Sequence, residues 1–231
     1  MSLLVNEWIG SRFLQIWEVP TPDISLVNIS KDHIPTQLCP PLQTAFFNKH
    51  CFGSAYLPYA KEIDHFFNTF KGRHNELKKI RNRKDFLKIG LFDIWLSNED
   101  RNHNNFNLLL NPEEEGYTFY AIDHGACFNS ACLHRGIYAI NEFESLLTSD
   151  IIKVLFSKGQ RLTDMENTLV EDFYICTNKC WETLPAILDE LPESWAVNKE
   201  RLQESLMKIF SKAWLKQTEN LFRQFIQLGI R

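Results

Sequence analysis

The chain has 231 residues with a formal net charge of −4 and a pI near 6.0; 44% of its residues are hydrophobic and 23% are charged. This composition predicts a folded, core-forming protein of one large domain or one domain with two lobes, and the acidic balance disfavours a general nucleic-acid-binding protein. No apolar run reaches membrane-spanning length, and residues 1–10 do not resemble a signal peptide. Six cysteines lie in no regular framework, so we expect free thiols, a reducing cytoplasm and no membrane association.

The first third of the chain predicts one helix and two strands. Apolar residues recur at helical spacing over residues 3–17, so this segment is predicted to be an amphipathic helix that ends before two prolines. The β-branched alternation of residues 23–29 predicts a strand, and residues 51–59 predict another. The proline-rich segment 30–49 between the strands is predicted to be a loop with short helical turns.

A second group of elements follows from residue 84 onwards. Residues 84–97 are apolar on nearly all sides, which predicts a helix that is buried over most of its surface. A polar loop follows at residues 98–105. Two strands are then predicted at 106–110 and 117–122, with residues 111–116 as the turn because they contain Asn-Pro and end in Gly.

The rest of the chain is predicted to be mostly helical. Helices are expected over residues 163–181, 184–191 and 198–228, and Asn198 is suited to be the N-cap of the last one. Strands in the front part of a chain followed by helices indicate an α+β fold, here with two lobes.

Carboxylate and amide side chains surround the two strands predicted after the polar loop. Asp100 lies in that loop, Asn105 comes five positions later, and Asp123 follows the second strand. Mg²⁺ prefers carboxylate, amide, water and phosphate oxygens, and phosphoryl transfer also needs a group that accepts the proton of the acceptor hydroxyl. We therefore predict an Mg-nucleotide site with Asp100 as the base and with Asn105 and Asp123 as metal ligands. The alternative is that Asp100 and Asn105 only build an Asx-rich turn.

These residues resemble a known family. Residues 98–105 (NEDRNHNN) and 122–125 (IDHG) are similar to the catalytic and metal-binding loops of HipA-like kinases and, more remotely, of the phosphatidylinositol 3- and 4-kinases. The resemblance implies that Asp100 is the catalytic base, and that Asn105 and Asp123 bind Mg²⁺ and ATP.

The resemblance also covers the N-terminal helix and implies the fold. Residues 5–22 look like the helix that follows the nucleotide-binding lysine strand in these kinases, and Arg101 matches the arginine that follows the base and supports its loop. The implied fold is a two-lobed, protein-kinase-like α+β domain spanning residues 1–231. Its reduced N-lobe sheet is expected over about 1–65 and its mostly helical C-lobe over about 66–231.

The implied function is an ATP- and Mg²⁺-dependent phosphotransferase that acts on a protein Ser or Thr hydroxyl. In the family, a phosphate loop and the lysine strand precede a helix that begins here near Leu3, so we interpret the chain as a truncated or degenerate relative. Glu7, which would pair with that lysine, is then expected to lack this partner. The alternatives are a pseudokinase or protein-interaction module without catalysis, and a phosphoinositide-like or small-molecule kinase. A protein substrate or protein partner is expected, without direct nucleic-acid binding.

Overall fold

The computed structural model describes residues 2–38, 42–63, 79–131, 136–156 and 162–230. Within these ranges the fold is α+β, with small antiparallel sheets in the first half of the chain and mostly helices after them. The helices are α1 (Ser2–Ile16), α2 (Arg83–Leu96), α3 (Asp150–Leu155), α4 (Leu162–Asp189), α5 (Lys199–Leu206) and α6 (Lys212–Ile230). The strands are β1 (Ile24–Val27), β2 (Cys51–Ser54), β3 (Lys61–Glu62), β4 (Leu108–Glu113) and β5 (Gly116–Ala121).

The strands form two separate sheets. β1 pairs with β2, with Val27 opposite Cys51, and the second sheet has the order β3-β4-β5, with Leu110 opposite Phe119. The short strand β3 was not predicted from the sequence, and the strand predicted over 51–59 ends at Ser54. None of the helices in the described ranges is long and apolar enough to cross a membrane.

Helix α2 lies at the centre of the core, as its apolar sequence predicts. Trp95 stacks on Phe13 of α1 and on Trp17, which directly follows α1, with ring centroids 5.4 Å and 5.5 Å away. The Trp95 indole N–H donates to the carbonyl oxygen of Ile209 at 2.8 Å, and its own carbonyl oxygen accepts from the Trp214 indole at 2.9 Å. These two hydrogen bonds and the ring stacking hold the end of α2 in one position relative to α1 and α6.

The hairpin β4–β5 differs from its prediction at the turn. Asn111 and Pro112 were predicted to be in the turn, but they belong to β4, and the turn is the pair Glu114-Glu115. β3 pairs only with Leu109 and Leu110 of β4, so Pro112 has no pairing partner in β3. A proline is therefore compatible with β4 at this position. Gly116 has φ +131°, which favours glycine at the end of the turn.

Two helix predictions near the C-terminus are wrong. The helices expected over 163–181 and 184–191 are one helix, α4, which continues through Pro185 because its buried face extends to Leu188. The helix expected over 198–228 is divided into α5, a 3₁₀ turn (Met207–Phe210) and α6. The division falls at Ser211, whose backbone is extended and whose hydroxyl oxygen accepts from the Trp214 N–H. Asn198 caps α5 as predicted, by accepting from the Arg201 N–H.

Gly229 allows α6 to pack against the 3₁₀ turn Leu146–Thr148. A Cβ atom at Gly229 would collide with the carbonyl oxygen of Leu147 and lie 2.9 Å from Cγ2 of Ile152. We expect Gly229→Ala to lower the free energy of unfolding by about 1–3 kcal/mol, because overpacking forces the backbone apart. Urea denaturation measures the change, and Gln227→Ala, at an exposed position of the same helix, is the control. Equal stability of the two variants would contradict the packing argument.

Candidate active site

The polar loop begins where α2 ends in a left-handed residue. Ser97 has φ +50°, and its N–H donates to the carbonyl oxygens of Asp93 and Ile94. The Asn98 N–H donates to the Asp93 carbonyl oxygen at 2.9 Å, and the Asn98 side-chain amide donates to the Asp93 carboxylate at 3.0 Å. These bonds satisfy the carbonyl groups at the end of the helix and fix the direction in which the loop leaves it.

Asp100 is half-buried, and amide groups orient its carboxylate. Its Oδ2 accepts from the side-chain amide of Asn105 at 2.8 Å and from that of Asn107 at 3.4 Å. The Asp100 N–H donates to Oδ1 of Asn98 at 3.3 Å, and the backbones of Asn102 and Asn105 bond each other at 2.9 Å and 3.2 Å. The loop is therefore rich in Asx contacts, and these contacts also hold the carboxylate of Asp100 in place.

Arg101 joins the polar loop to the segment after β5. Its guanidinium is fully buried and forms an ion pair with Asp93 of α2. Nη2 donates to the carbonyl oxygens of Ile122 and Asp123 at 2.7 Å and 3.2 Å, and to Nδ1 of His124 at 2.9 Å. One side chain thus connects α2, the loop of Asp100 and the backbone of Asp123.

The charges in this buried network are set by burial. Burial raises the pKa of Asp93 to about 6, although the Arg101 guanidinium opposes the rise. Burial, and then Arg101, hold the pKa of His124 well below its usual range. A neutral His124 matches the role of Nδ1 as an acceptor. At neutral pH the buried network therefore holds a charged Asp93–Arg101 pair and an uncharged imidazole.

Asp123 is exposed and has a left-handed backbone, with φ +56°. Its Oδ1 accepts from the Gly125 N–H at 3.3 Å. Glu7 of α1 approaches the same segment: its Oε2 accepts from the His124 N–H at 2.9 Å and its Oε1 from the Gly125 N–H at 3.0 Å. Burial, together with the nearby Asp123 carboxylate, raises the pKa of Glu7 to about 7.

Two cavities meet beside Glu7 and Asp123. The larger, of 530 Å³, lies between α1, the β1–β2 sheet and β4, and its walls include the apolar side chains of Ile24, Phe52 and Leu109. The smaller cavity, of 390 Å³, is lined by residues that include Asp100. Glu7 and Asp123 line both cavities. The two aspartates that were predicted to carry the chemistry therefore share one cavity.

A profile described as HipA-like kinase matches residues 1–224. The chain belongs to the HipA-like kinase family. No curated protein sequence matches the chain. Membership in this family supports a function of the kinase-type phosphotransferase class. It also identifies the architecture as a two-lobed kinase-like fold with a reduced N-lobe sheet and a mostly helical C-lobe. The predicted boundary between the lobes, near residue 65, falls in 64–78 and so lies outside the described residues.

In this member of the HipA-like kinase family the predicted residues occupy different environments. Asp100 and Asp123 line the smaller cavity, Asn105 bonds to Asp100, and Arg101 is buried behind the loop. Glu7, expected to lack its lysine partner, accepts two backbone N–H groups after Asp123. Their roles in catalysis and metal binding stay predictions.

Asn107 and Asp93 are parts of the site that the sequence did not reveal. Asn107 lies just beyond the loop that was assigned from the resemblance, and it donates to Asp100. Of the two, Asp93 could have been identified more easily from the sequence, since it is the single carboxylate within the apolar run LFDIWL. A charge buried in such a run requires a partner, which the structure provides as Arg101.

Proposed function

We propose that this HipA-like kinase is an ATP- and Mg²⁺-dependent phosphotransferase that acts on Ser or Thr hydroxyls of a protein substrate in the cytoplasm. The observation that carries the proposal is that Asp100 and Asp123 line one cavity in a chain of this family. A proton acceptor and a hard cation ligand are both required beside the phosphoryl group during transfer.

Asp123, which lines the cavity, and Asn105, which bonds to Asp100 beside it, carry the carboxylate and amide oxygens that Mg²⁺ prefers. Asp123 offers an exposed carboxylate at the point where the two cavities meet. Asn105 uses its side-chain N–H to hold Asp100, so its amide oxygen is the atom suited to a cation. Asp123 and Asn105 would hold the ion, and bound Mg²⁺ supplies neutralisation of phosphate charge.

The two cavities suit the two ends of a nucleotide. The larger has apolar walls that match the faces of a planar base, including Phe52, Leu109 and Ile122. The smaller is lined by Asp100 and Asp123, where the phosphates and the acceptor hydroxyl would meet. Asp123 borders both cavities and would therefore lie beside the phosphate chain.

Asp100 is proposed to accept the proton of the acceptor hydroxyl. Its Oδ2 is held by the amides of Asn105 and Asn107, which leaves Oδ1 as the oxygen for the hydroxyl. Arg101 is buried and would act on the reaction only indirectly, by holding the Asp100 loop next to the carbonyl groups of Ile122 and Asp123.

The test is calorimetric binding of ATP with and without Mg²⁺, by the chain and by Asp123→Asn. We expect Mg²⁺-dependent binding that Asp123→Asn weakens at least about tenfold, since even residues that only orient metal ligands contribute about 10–100-fold to metal affinity. Asp172→Asn, at an exposed position of α4, makes the same chemical change away from the cavities and should bind normally. Absence of binding at millimolar ATP, or equal affinity of the Asp123 and Asp172 variants, would refute the proposed site.

A further inference from the structure

The backbone that follows Asp123 is held by one carboxylate of α1. Glu7 accepts the N–H of His124 through Oε2 at 2.9 Å and the N–H of Gly125 through Oε1 at 3.0 Å. We propose that Glu7 is a positioning residue, which sets the backbone of Asp123 so that its carboxylate faces the cavity of Asp100. This inference rests on the proposed function, because it assigns Glu7 a purpose only if Asp123 binds the metal.

Other residues of the same helix face contact the same segment. The side-chain amide of Asn6 donates to the carbonyl oxygens of Gly125 and Cys127 at 2.8 Å and 2.6 Å. A Cβ atom at Gly10 would lie only 2.6 Å from Cβ of His124, so α1 approaches the segment as closely as a glycine permits. Asn6 and Gly10 bring α1 into contact, and Glu7 provides two hydrogen-bond acceptors at that contact.

The backbone conformation of Asp123 is uncommon, and hydrogen bonds on both sides help to hold it. A left-handed φ of +56° is rare for residues other than glycine, although aspartate adopts it more readily than most. Arg101 binds the carbonyl oxygen of Asp123 from one direction, at 3.2 Å, and Glu7 binds the next two N–H groups from α1. Removing the Glu7 contacts would leave this segment bound mainly through its carbonyl groups.

The position of Glu7 relative to the cavities agrees with this role. Glu7 and Asp123 line both the 530 Å³ cavity and the 390 Å³ cavity, so they stand side by side at the junction. Each Glu7 oxygen already accepts a backbone N–H, which makes the carboxylate a support for the metal-binding segment. Supporting residues of this kind typically change metal affinity by about 10–100-fold when they are replaced.

The experiment compares Glu7→Gln with Glu171→Gln, an exposed position of α4 that receives the same chemical change. A glutamine side chain has a single acceptor oxygen, so one of the two backbone N–H groups loses its acceptor on residue 7. We expect the His124 and Gly125 amides to exchange with solvent about tenfold faster in Glu7→Gln, because loss of a hydrogen-bond acceptor in this half-buried site weakens the protection of the segment. We also expect the Mg²⁺-dependent affinity for ATP to fall about 10–100-fold. Glu171→Gln should match the unmodified chain in both measurements.

Unchanged amide exchange, or unchanged Mg²⁺-dependent affinity, in Glu7→Gln would overturn the inference. If that variant does not fold, Glu7→Asp replaces it: the carboxyl group stays, the side chain is one methylene shorter, and both effects should keep their direction with smaller size. The two measurements also separate the inference from the proposed function. If the unmodified chain binds no Mg-ATP, the proposed function fails, and the exchange of the two amides alone decides whether Glu7 holds the segment.

Discussion

Replacing Asp100 with asparagine is expected to lower the rate of phosphoryl transfer by about 10²–10⁴-fold, the usual contribution of a general base. Asparagine keeps the size of the side chain but cannot accept a proton. It can still accept hydrogen bonds through its oxygen from Asn105 and Asn107, which hold the carboxylate now. The affinity for Mg-ATP should therefore change little. This separation of rate from binding is what distinguishes a base from a metal ligand.

The measurement is transfer of labelled phosphate from ATP to a panel of protein, lipid and small-molecule hydroxyl acceptors. Asp172→Asn, exposed on α4, is the matched control and should transfer at the rate of the unmodified chain. An unchanged rate in Asp100→Asn would remove Asp100 from the role of base. Nucleotide binding without transfer by the unmodified chain would favour a non-catalytic binding module, and transfer to lipid or small-molecule acceptors alone would favour the third hypothesis.

The elements that position the site could be predicted because their signals are local. Residues 84–97 carry apolar side chains on nearly all sides, which predicts a buried helix, and α2 confirms it at Arg83–Leu96. The breaks between helices could not be predicted as well. A proline normally ends a helix, but α4 continues past Pro185 because its buried face does. The 3₁₀ turn Met207–Phe210 ends at Ser211, although the apolar stripe in the sequence continues beyond it.

The candidate site, too, could be predicted from the sequence only in part. The residue types and spacing of Asp100, Asn105 and Asp123 are visible in the sequence, and the loops that carry them resemble the family whose profile matches residues 1–224. The contacts that arrange them join residues far apart in the chain, such as Glu7 with Gly125. Such pairings depend on how α1 packs, which no local pattern specifies. A buried charge such as Asp93 does predict that a partner exists, but not which residue it is.

Replacing Arg101 with methionine is expected to lower the free energy of unfolding by about 3–5 kcal/mol, the usual cost of removing one partner of a buried ion pair. The variant leaves the fully buried Asp93 carboxylate without its cation. It also removes the hydrogen-bond donor of the carbonyl oxygens of Ile122 and Asp123. Arg12→Met is the control: Arg12 pairs with Glu190, but about a third of each side chain is exposed, so its loss should cost only about 1 kcal/mol.

Urea denaturation of Arg101→Met, Asp93→Asn and the double variant tests whether the cost arises from the unpaired charge. If it does, the double variant should be more stable than the sum of the single losses predicts, by about 1–3 kcal/mol.

The stability of the Arg101→Met variant should also depend on pH in a defined direction. The pKa of Asp93 is already raised to about 6 and would rise further without Arg101, so folding then favours the protonated acid. The Arg101→Met variant should therefore recover stability relative to the unmodified chain as the pH is lowered from 7 towards 5. Additive losses with no such recovery would mean that Arg101 contributes through packing and its carbonyl contacts, and that Asp93 is stable there without it.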